Sequence, residues 1–193
     1  MADQKISAMP AAAALTGAEL VPLVQSGANV RSTVSNVGAF YTNRIALLSS
    51  TTQTALADTA TVMTYGTVAF SQNISLVDGS KVTFATGGTF MLNVVLQMEN
   101  ASNQIHAADF WVRLNGSNYP LSNTREDIPS SHGGAPGHTV VTIDIPGIAS
   151  PGDYLELVWS TPSTDVSIEY IGPQVSPTRP ATPSIILTVF QIG

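Results

Sequence analysis

The sequence has 193 residues, of which 44% are hydrophobic and only 10% are charged, and its formal net charge at pH 7 is −6. Because charged residues usually make up about 25% of a domain, this chain has enough apolar residues for one ordinary core plus an extension, under a polar but weakly charged surface. Because the net charge is negative and no run of Lys or Arg exists, a nucleic-acid-binding surface is not expected. The absence of cysteine excludes disulfides, zinc–thiolate sites and thiol catalysis.

The first residues of the chain, from Met1 to Lys5, lack the basic start and the apolar core of a signal peptide. The apolar run 11–15 is far too short to span a membrane. We therefore expect synthesis in a reducing cytoplasm and no membrane partner.

Residues 1–37 are predicted to form an extended arm. Pro10 and Pro22 forbid one long helix, and residues 16–19 have the form of a capping box that can start no more than one helical turn. Residues 20–24 and 29–34 are predicted to be two short extended pieces around a turn. The arm cannot form a core by itself, so we expect its apolar residues to dock on a partner. They are Ile6, Met9, Leu15, Leu20, Val21 and Leu23.

Three motifs of the arm follow one another in order: Lys-Ile-Ser-x-Met-Pro at 5–10, Leu-Thr-Gly-x-Glu-Leu-Val-Pro-Leu-Val-Gln at 15–25, and Gly-x-x-x-Arg-x-Thr-Val at 27–34. Together they resemble the N-terminal module of many fibre and head-associated proteins of tailed bacteriophages. The resemblance implies attachment to the virion, and it does not choose between tail and head.

Residues 38–54 are predicted to be a short helix followed by a linker. Val37, Phe40, Tyr41, Ile45 and Leu48 recur at helical spacing. The polar residues 49–54 then lead to a domain predicted to cover residues 55–193.

Residues 88–100 have the clearest strand pattern in the chain. Every second residue from Phe90 to Met98 is apolar, which is the pattern of a strand with one buried face. Met91 and Val95 interrupt the polar face. Two apolar residues on the same side indicate that this face also meets a partner.

About ten strands are predicted, separated by turn signals such as Asp78-Gly79 and Asn115-Gly116. They cover residues 60–70, 74–77, 81–85, 88–100, 106–115, 117–122, 139–145, 153–160, 166–171 and 184–192. This pattern is typical of an all-β antiparallel sandwich or barrel.

The last predicted strand is apolar on both faces. Ile186, Phe190 and Ile192 lie opposite the face that carries Ile185, Leu187 and Val189. A terminal strand with two apolar faces favours a seam between subunits. We therefore predict a trimer seam that contains Met91, Val95, Ile186, Phe190 and Ile192.

Four motifs resemble C1q/TNF-like jelly rolls in order and spacing, especially those of bacteriophage structural proteins. They are Gly-Gly-Thr-Phe-Met-Leu at 87–92, Asp-Phe-Trp-Val-Arg-Leu-Asn-Gly at 109–116, Gly-Asp-Tyr-Leu-Glu-Leu-Val-Trp at 152–159, and Pro-Ser-Ile-Ile-Leu-Thr-Val at 183–189. The resemblance covers residues 55–193 and implies a homotrimeric jelly-roll sandwich whose terminal strands lie near the three-fold axis. The absence of cysteine and of a collagen repeat departs from the animal members, so a complement-type function is not expected.

No metal, cofactor or catalytic site is expected from the residue patterns. His132 and His138 lie with Glu126 and Asp127 in a glycine-rich segment, where no regular element fixes the spacing of ligands. A Gly-x-Ser-x-Gly elbow is absent, and no motif orients His106 as a base. We expect an exposed polar loop and a protein that is not an enzyme.

Trp111, Arg113, Asn118 and Tyr119 lie on or beside a predicted hairpin. Aromatic rings among amides can bind a host surface glycan, but packing of Trp111 against a neighbouring strand or subunit explains the pattern equally well.

The proline-dense stretch 175–183 is compatible with an SH3-type ligand. A stiffened loop before the last strand is the better interpretation, with Arg179 available to pair with an acidic residue of another copy.

These features predict a virion structural protein on the capsid surface, a cement protein whose arms bind the major capsid protein. Only about 20 residues separate the arm from the predicted barrel, a reach of at most about 70 Å, whereas a tail fibre interposes a long shaft. The alternative is the receptor-binding knob of a short tail or head fibre.

Overall fold

The computed structural model describes residues 16–34, 37–38 and 43–193, and it divides the chain into two compact units, Met1–Thr42 and Asn43–Gly193. The strands are β1 Leu20–Gln25, β2 Ala28–Thr33, β3 Arg44–Ser49, β4 Gln53–Thr54, β5 Thr61–Val62, β6 Thr67–Gln72, β7 Ile74–Val77, β8 Lys81–Phe84, β9 Gly88–Asn100, β10 His106–Leu114, β11 Ser117–Asn118, β12 Thr124–Ile128, β13 Gly137–Ala149, β14 Tyr154–Ser160, β15 Val166–Ile168, β16 Gln174–Val175, β17 Thr178–Arg179 and β18 Ile185–Gln191. None of the helical segments among the described residues has the length and hydropathy that crossing a bilayer requires.

The described part of the first unit is a hairpin of β1 and β2. Ser26 and Gly27 connect the two strands and both have positive φ angles, 52° and 78°. Turns of this kind match the right-handed twist of the flanking strands. The two predicted extended pieces are therefore confirmed. The predicted residues Ile6, Met9 and Leu15 lie outside the described residues.

The glutamate half of the predicted capping box forms, and a strand follows it in place of a helix. The carboxylate of Glu19 accepts hydrogen bonds of 2.8 Å from the backbone N–H of Thr16 and of Gly17, and one of 2.7 Å from the Thr16 hydroxyl. These bonds, led by that from the Thr16 backbone, hold the pKa of Glu19 at about 2. β1 begins at the next residue because the apolar residues and Pro22 that follow favour extended backbone over a helix.

Two antiparallel sheets form the second unit. The first, here called the β9 sheet, has the order β4-β15-β9-β18-β3-β6, with β13 on the other edge of β9. The second, called the β10 sheet, has the order β11-β10-β14-β8-β7, with β12 paired to β10 and β5 paired to β14. The all-β antiparallel sandwich predicted from the sequence is confirmed.

The strand β9 extends over the predicted residues 88–100 and pairs on both edges. β13 lies along its whole length, from Gly137 opposite Asn100 to Ala149 opposite Gly88. β18 and then β15 occupy the other edge, one after the other. The even-numbered residues from Phe90 to Met98 are at most 3% exposed, as the period-two pattern predicts.

The predicted helix agrees with the helical conformation of residues 37 and 38 but is wrong for residues 44–48, because residues 44–49 form β3 between β18 and β6. Ile45 and Leu47 are fully buried on the inner face, and Leu48 is half-buried on the other. A strand that is apolar on both faces also satisfies the i, i+3 spacing of a helix. The compact unit therefore begins at Asn43, not at residue 55.

Three further strand predictions need correction. The predicted strand 60–70 is split into β5 and β6, and the strand predicted over 117–122 ends at Asn118. Leu121 has a positive φ of 60°, which no strand accommodates. β12 has the sequence Thr-Arg-Glu-Asp-Ile, which lacks alternating apolar residues and so carried no signal.

The core lies between the inner faces of the two sheets. Phe84 of the β10 sheet packs against Phe90 of the β9 sheet with ring centroids 4.5 Å apart. Trp159, Ile168 and Leu187 are fully buried in the same cluster. Each buried side chain of this size contributes about 1.5–3 kcal/mol to the stability of the fold. The apolar residues of the sequence are therefore used to build this core.

Asn43, which begins the second unit, is 2% exposed and is hydrogen-bonded through both ends of its amide. Its Nδ2 donates to Thr86 Oγ1 and, at 2.6 Å, to Gln191 Oε1, and its Oδ1 accepts from Asn73 Nδ2 at 2.7 Å. Its carbonyl accepts from the backbone N–H of Gln191 at 2.9 Å. This network ties the start of β3 to the end of β18.

Two buried side-chain atoms of the described residues have no hydrogen-bond partner, the hydroxyl of Tyr65 and Nε1 of Trp159. Burial also raises the pKa of Tyr65 far above its ordinary value. A buried donor without a partner loses its hydration without compensation, which costs about 1–3 kcal/mol.

We expect opposite results from two substitutions of buried polar residues. Tyr65→Phe should leave the free energy of unfolding unchanged or raise it by up to about 1 kcal/mol, because it removes an unpaired hydroxyl. Asn43→Ala should lower it by about 1–3 kcal/mol, because Gln191, Thr86 and Asn73 lose a buried partner. Denaturant unfolding of both variants beside the unsubstituted protein measures the difference. A loss of stability in Tyr65→Phe as large as that in Asn43→Ala would contradict this interpretation.

Candidate functional site

Four of the five predicted seam residues lie together on the outer surface of the β9 sheet. In the β9–β18 register, Ile186 is opposite Val95 and Phe190 is opposite Met91. Directly opposite residues on neighbouring strands point to the same face. The four side chains therefore form two cross-strand pairs on one surface, with one further pair between them.

We call this surface the seam face and define it by Leu48, Met91, Val95, Ile186 and Phe190. Leu48 belongs to it because β3 pairs with β18 and places Leu48 opposite Ile186. Phe190 is 40% exposed, and the other four side chains are half-buried. The sequence could not place Leu48 here because its segment was interpreted as a helix.

The apolar surface continues beyond the seam face at both ends. Phe70 on β6 is opposite Ala46 and is 48% exposed, with the guanidinium of Arg44 5.8 Å from its ring centroid. Ile192, the fifth predicted seam residue, follows the last residue of β18 and is 52% exposed. Phe70 was missed because its neighbour β3 was not recognised as a strand.

A polar row crosses the middle of the seam face. Asn93 lies between Met91 and Val95 on β9, and its Nδ2 donates a hydrogen bond of 2.8 Å to Asp144 Oδ1 on β13. Thr188 is opposite Asn93 on β18. Because the amide of Asn93 already binds Asp144, the polar row is partly satisfied within one chain.

The aromatic group proposed for sugar binding is only partly brought together. Trp111 Nε1 and Arg113 Nε both donate to Asn118 Oδ1, at 2.9 and 3.2 Å. These three side chains form one cluster on β10 and β11. Tyr119 instead packs against the core, so it does not complete the group.

The loop residues considered as metal ligands are not held together. Glu126 and Asp127 lie on β12 opposite Ala108 and Ala107 of β10, and His132 forms an isolated bridge with Ala135. His138 lies on β13, and its Nδ1 is 3.3 Å from Glu169 Oε2.

Glu99 is opposite His138 in the β9–β13 register. The ligand atoms of Glu99, His138 and Glu169 all lie within 4.8 Å of one another, and no other group of three such residues forms among the described residues. Burial and the nearby carboxylate of Glu99 raise the pKa of Glu169, although His138 lowers it. Because the pKa of Glu169 is raised in the folded chain, its carboxyl lowers the stability of the fold at pH values above the pKa that it has in the unfolded chain. Neither glutamate had a sequence signal, because only strand pairing places them beside His138.

The proline-dense stretch before β18 folds into a small hairpin of β16 and β17. Val175 is opposite Thr178, and the peptide bond between Ser176 and Pro177 is cis. Arg179 is exposed at the end of β17. The predicted stiffened loop is thus a two-stranded turn.

The predicted attachment residues that the structure describes lie on β1. Leu20 and Leu23 are 56% and 40% exposed, and Val21 is half-buried. Val24 and Val30 of the same hairpin are also exposed. The hairpin therefore presents an apolar surface that its own two strands do not cover.

Comparisons with known proteins extend the description of the fold. No protein-family model matches the sequence, and no curated protein matches it. Among solved structures, the crystal structure of murine APRIL at pH 5.0 is similar with a TM-score of 0.50 and 9% sequence identity, covering 78% of this chain and 99% of that one. At this identity the likeness shows the fold alone, and the second unit of this chain has the jelly-roll fold of TNF-like proteins.

Proposed function

We propose that this protein is a homotrimeric, non-catalytic structural protein of a tailed-bacteriophage virion, a cement protein that binds the capsid surface through its N-terminal arm. The observation that carries the proposal is the seam face, an apolar surface on the outer side of β9, β18 and β3. The arm motifs, which resemble virion-attachment modules, supply the location.

The seam face supports assembly because its apolar residues lie on a regular sheet and not on a loop. Phe190 and Ile186 project from the same strand whose other face forms the core. Burying these residues against a second copy removes apolar area from water at about 25 cal/mol per Å². The unpaired part of the polar row, Thr188, provides a hydrogen-bonding position at the centre of the contact.

The β1–β2 hairpin supports attachment. Exposed Leu20, Leu23 and Val24 leave a two-stranded unit that is marginal without a partner. We propose that these residues, together with Val21 and the predicted residues Ile6, Met9 and Leu15, bind the major capsid protein. Three hairpins of one trimer would then link neighbouring capsid subunits and stabilise the shell by mass action.

The short chain segment between β2 and β3 favours the head over a fibre. Only residues 34–43 separate β2 from β3, a span of at most about 40 Å when fully extended. This is shorter than the spacing estimated from the sequence, because β3 belongs to the second unit. A trimer so close to its attachment segment suits a capsid surface.

The receptor-binding knob of a short fibre is the alternative, and the cluster of Trp111, Arg113 and Asn118 is the observation that favours it. An indole beside a guanidinium and an amide can stack on a sugar ring and bind its hydroxyls. Copy number discriminates the two functions: hundreds of copies per virion fit a cement protein, and a few dozen or fewer fit a fibre.

We expect light scattering to give three times the chain mass of 20.1 kDa for the full-length protein. Ile186→Asp should reduce the mass toward one chain, because it places a charge in the apolar contact. Phe190→Ala should weaken the trimer by about 3–5 kcal/mol per site if the ring is fully enclosed by the neighbouring copy.

Ile105→Asp is the matched control for the seam variant, because Ile105 is 63% exposed and lies outside the seam face. It should leave the trimer mass unchanged. A stable monomer of the unsubstituted protein, or equal effects of Ile186→Asp and Ile105→Asp, would contradict the proposed seam.

We expect a chain that begins at Asn43 to fold and trimerise but not to decorate particles that lack the native protein. The full-length protein should bind these particles and raise the temperature at which they release DNA. A chain that begins at Ser50 should fail to fold, because it lacks β3, which pairs with both β18 and β6 in the β9 sheet.

Paired substitution of Leu20 and Leu23 by Asp should abolish decoration, whereas Leu56→Asp, a change at an exposed leucine of the second unit, should not. Decoration by the chain that begins at Asn43 would show that attachment runs through the jelly roll. Binding of the full-length protein without any change in particle stability would favour the fibre.

A further inference from the structure

We propose that Glu99, His138 and Glu169 form a binding site for a divalent transition-metal ion, with Zn²⁺ as the best-fitting species. The site lies on the outer surface of the β9 sheet, at the end of β9 opposite to Met91. It is separate from the seam face and does not depend on the proposed cement function.

The three residues are held by pairing of neighbouring strands. Glu99 is on β9, the strand that pairs along both edges, and His138 is opposite it on β13. Glu169 follows β15 directly, and its backbone N–H donates a hydrogen bond of 2.6 Å to the carbonyl of Gln97 on β9. Two of the side chains therefore project from paired strands and the third from a residue whose backbone is hydrogen-bonded to β9, which is the kind of support that a metal site requires.

The interatomic distances suit a common ion. Ligands bound to Zn²⁺ at about 2.0–2.2 Å in a tetrahedral arrangement lie about 3.3–3.6 Å apart. His138 Nδ1 and Glu169 Oε2 are 3.3 Å apart, and the Glu99 carboxylate is within 4.8 Å of both. One imidazole and two carboxylates are a donor set that zinc accepts, with a fourth position left for water.

The charges around the cluster also point to a cation. Two carboxylates face each other, and His138 is the only basic group paired with either of them among the described residues. The described Lys and Arg salt bridges go elsewhere, from Lys81 to Asp78 and from Arg125 to Asp109. A divalent ion bound here would offset the charge of both carboxylates.

An ion can reach the cluster from solvent. His138 and Glu169 line a surface depression of about 370 Å³ that is also bordered by Gln97, Val140 and Ile171. The side chain of Glu169 is 23% exposed and that of His138 is 52% exposed. The depression therefore has room for the water that completes the coordination sphere.

The bound ion would connect three neighbouring segments of the β9 sheet. It would link β13 to β9 and to the chain after β15, where β15 is only three residues long. We therefore expect metal binding to raise the melting temperature, since the ion binds the folded chain but not the dispersed ligands of the unfolded one.

The test is calorimetric titration of the metal-free full-length protein with ZnCl₂, with CoCl₂ absorption as a second readout. We expect one ion per chain. Because loss of a supporting group alone weakens metal sites by about 10–100-fold, loss of a direct ligand in His138→Ala or Glu169→Gln should weaken binding by at least about 100-fold. Glu99→Gln should also weaken binding of the metal ion.

His132→Ala and Glu126→Gln are the matched controls, because they remove exposed residues of the same types from outside the cluster. Both should bind the ion as the unsubstituted protein does. Melting curves recorded with EDTA establish that each variant is folded before its affinity is compared. No zinc or cobalt binding by the unsubstituted protein, or undiminished binding by folded His138→Ala, would overturn the proposal.

Discussion

The pairing of β9 on both edges is the constraint on which the rest of the second unit depends. Its thirteen residues hold β13 on one side and β18 and β15 on the other. Because the side-chain period of a strand is two, a shift by one residue would expose Phe90 and bury Met91. The large aromatic and aliphatic residues of the inner face make that shift costly, so β9 fixes the register of its three neighbours.

The same register determines what the outer surface can do. Once Leu92 and Val94 face inward, Met91 and Val95 must face outward, where β18 adds Phe190 and Ile186 beside them. The apolar seam face is thus a consequence of core packing combined with a few apolar residues at outward positions. The carboxylates and imidazole of the proposed metal site are placed in the same way, by outward positions on β9 and β13 and by the chain that continues from β15.

Period-two alternation and turn chemistry were sufficient to predict the sandwich, the bounds of β9 and the hairpins at Asp78-Gly79 and Asn115-Gly116. They failed for β3, because a short strand with two apolar faces has the same spacing as a helical stripe. They also failed for β12, because its charged residues follow one another and do not alternate with apolar residues. The grouping of Glu99, His138 and Glu169 could not be predicted, since residues 99 and 169 become neighbours only through non-local pairing, and no sequence spacing encodes that contact.

Correcting β3 changes the functional argument as well as the fold. With Arg44–Ser49 inside the β9 sheet, a segment that was predicted to be mostly helical pairs directly with β18 and contributes Leu48 to the seam face. The segment after the arm then enters the sheet beside the final strand, and the Asn43 network joins these two ends of the second unit. The strands β3 and β18, which carry part of the proposed subunit contact, are therefore also the strands that join the beginning of the second unit to its end.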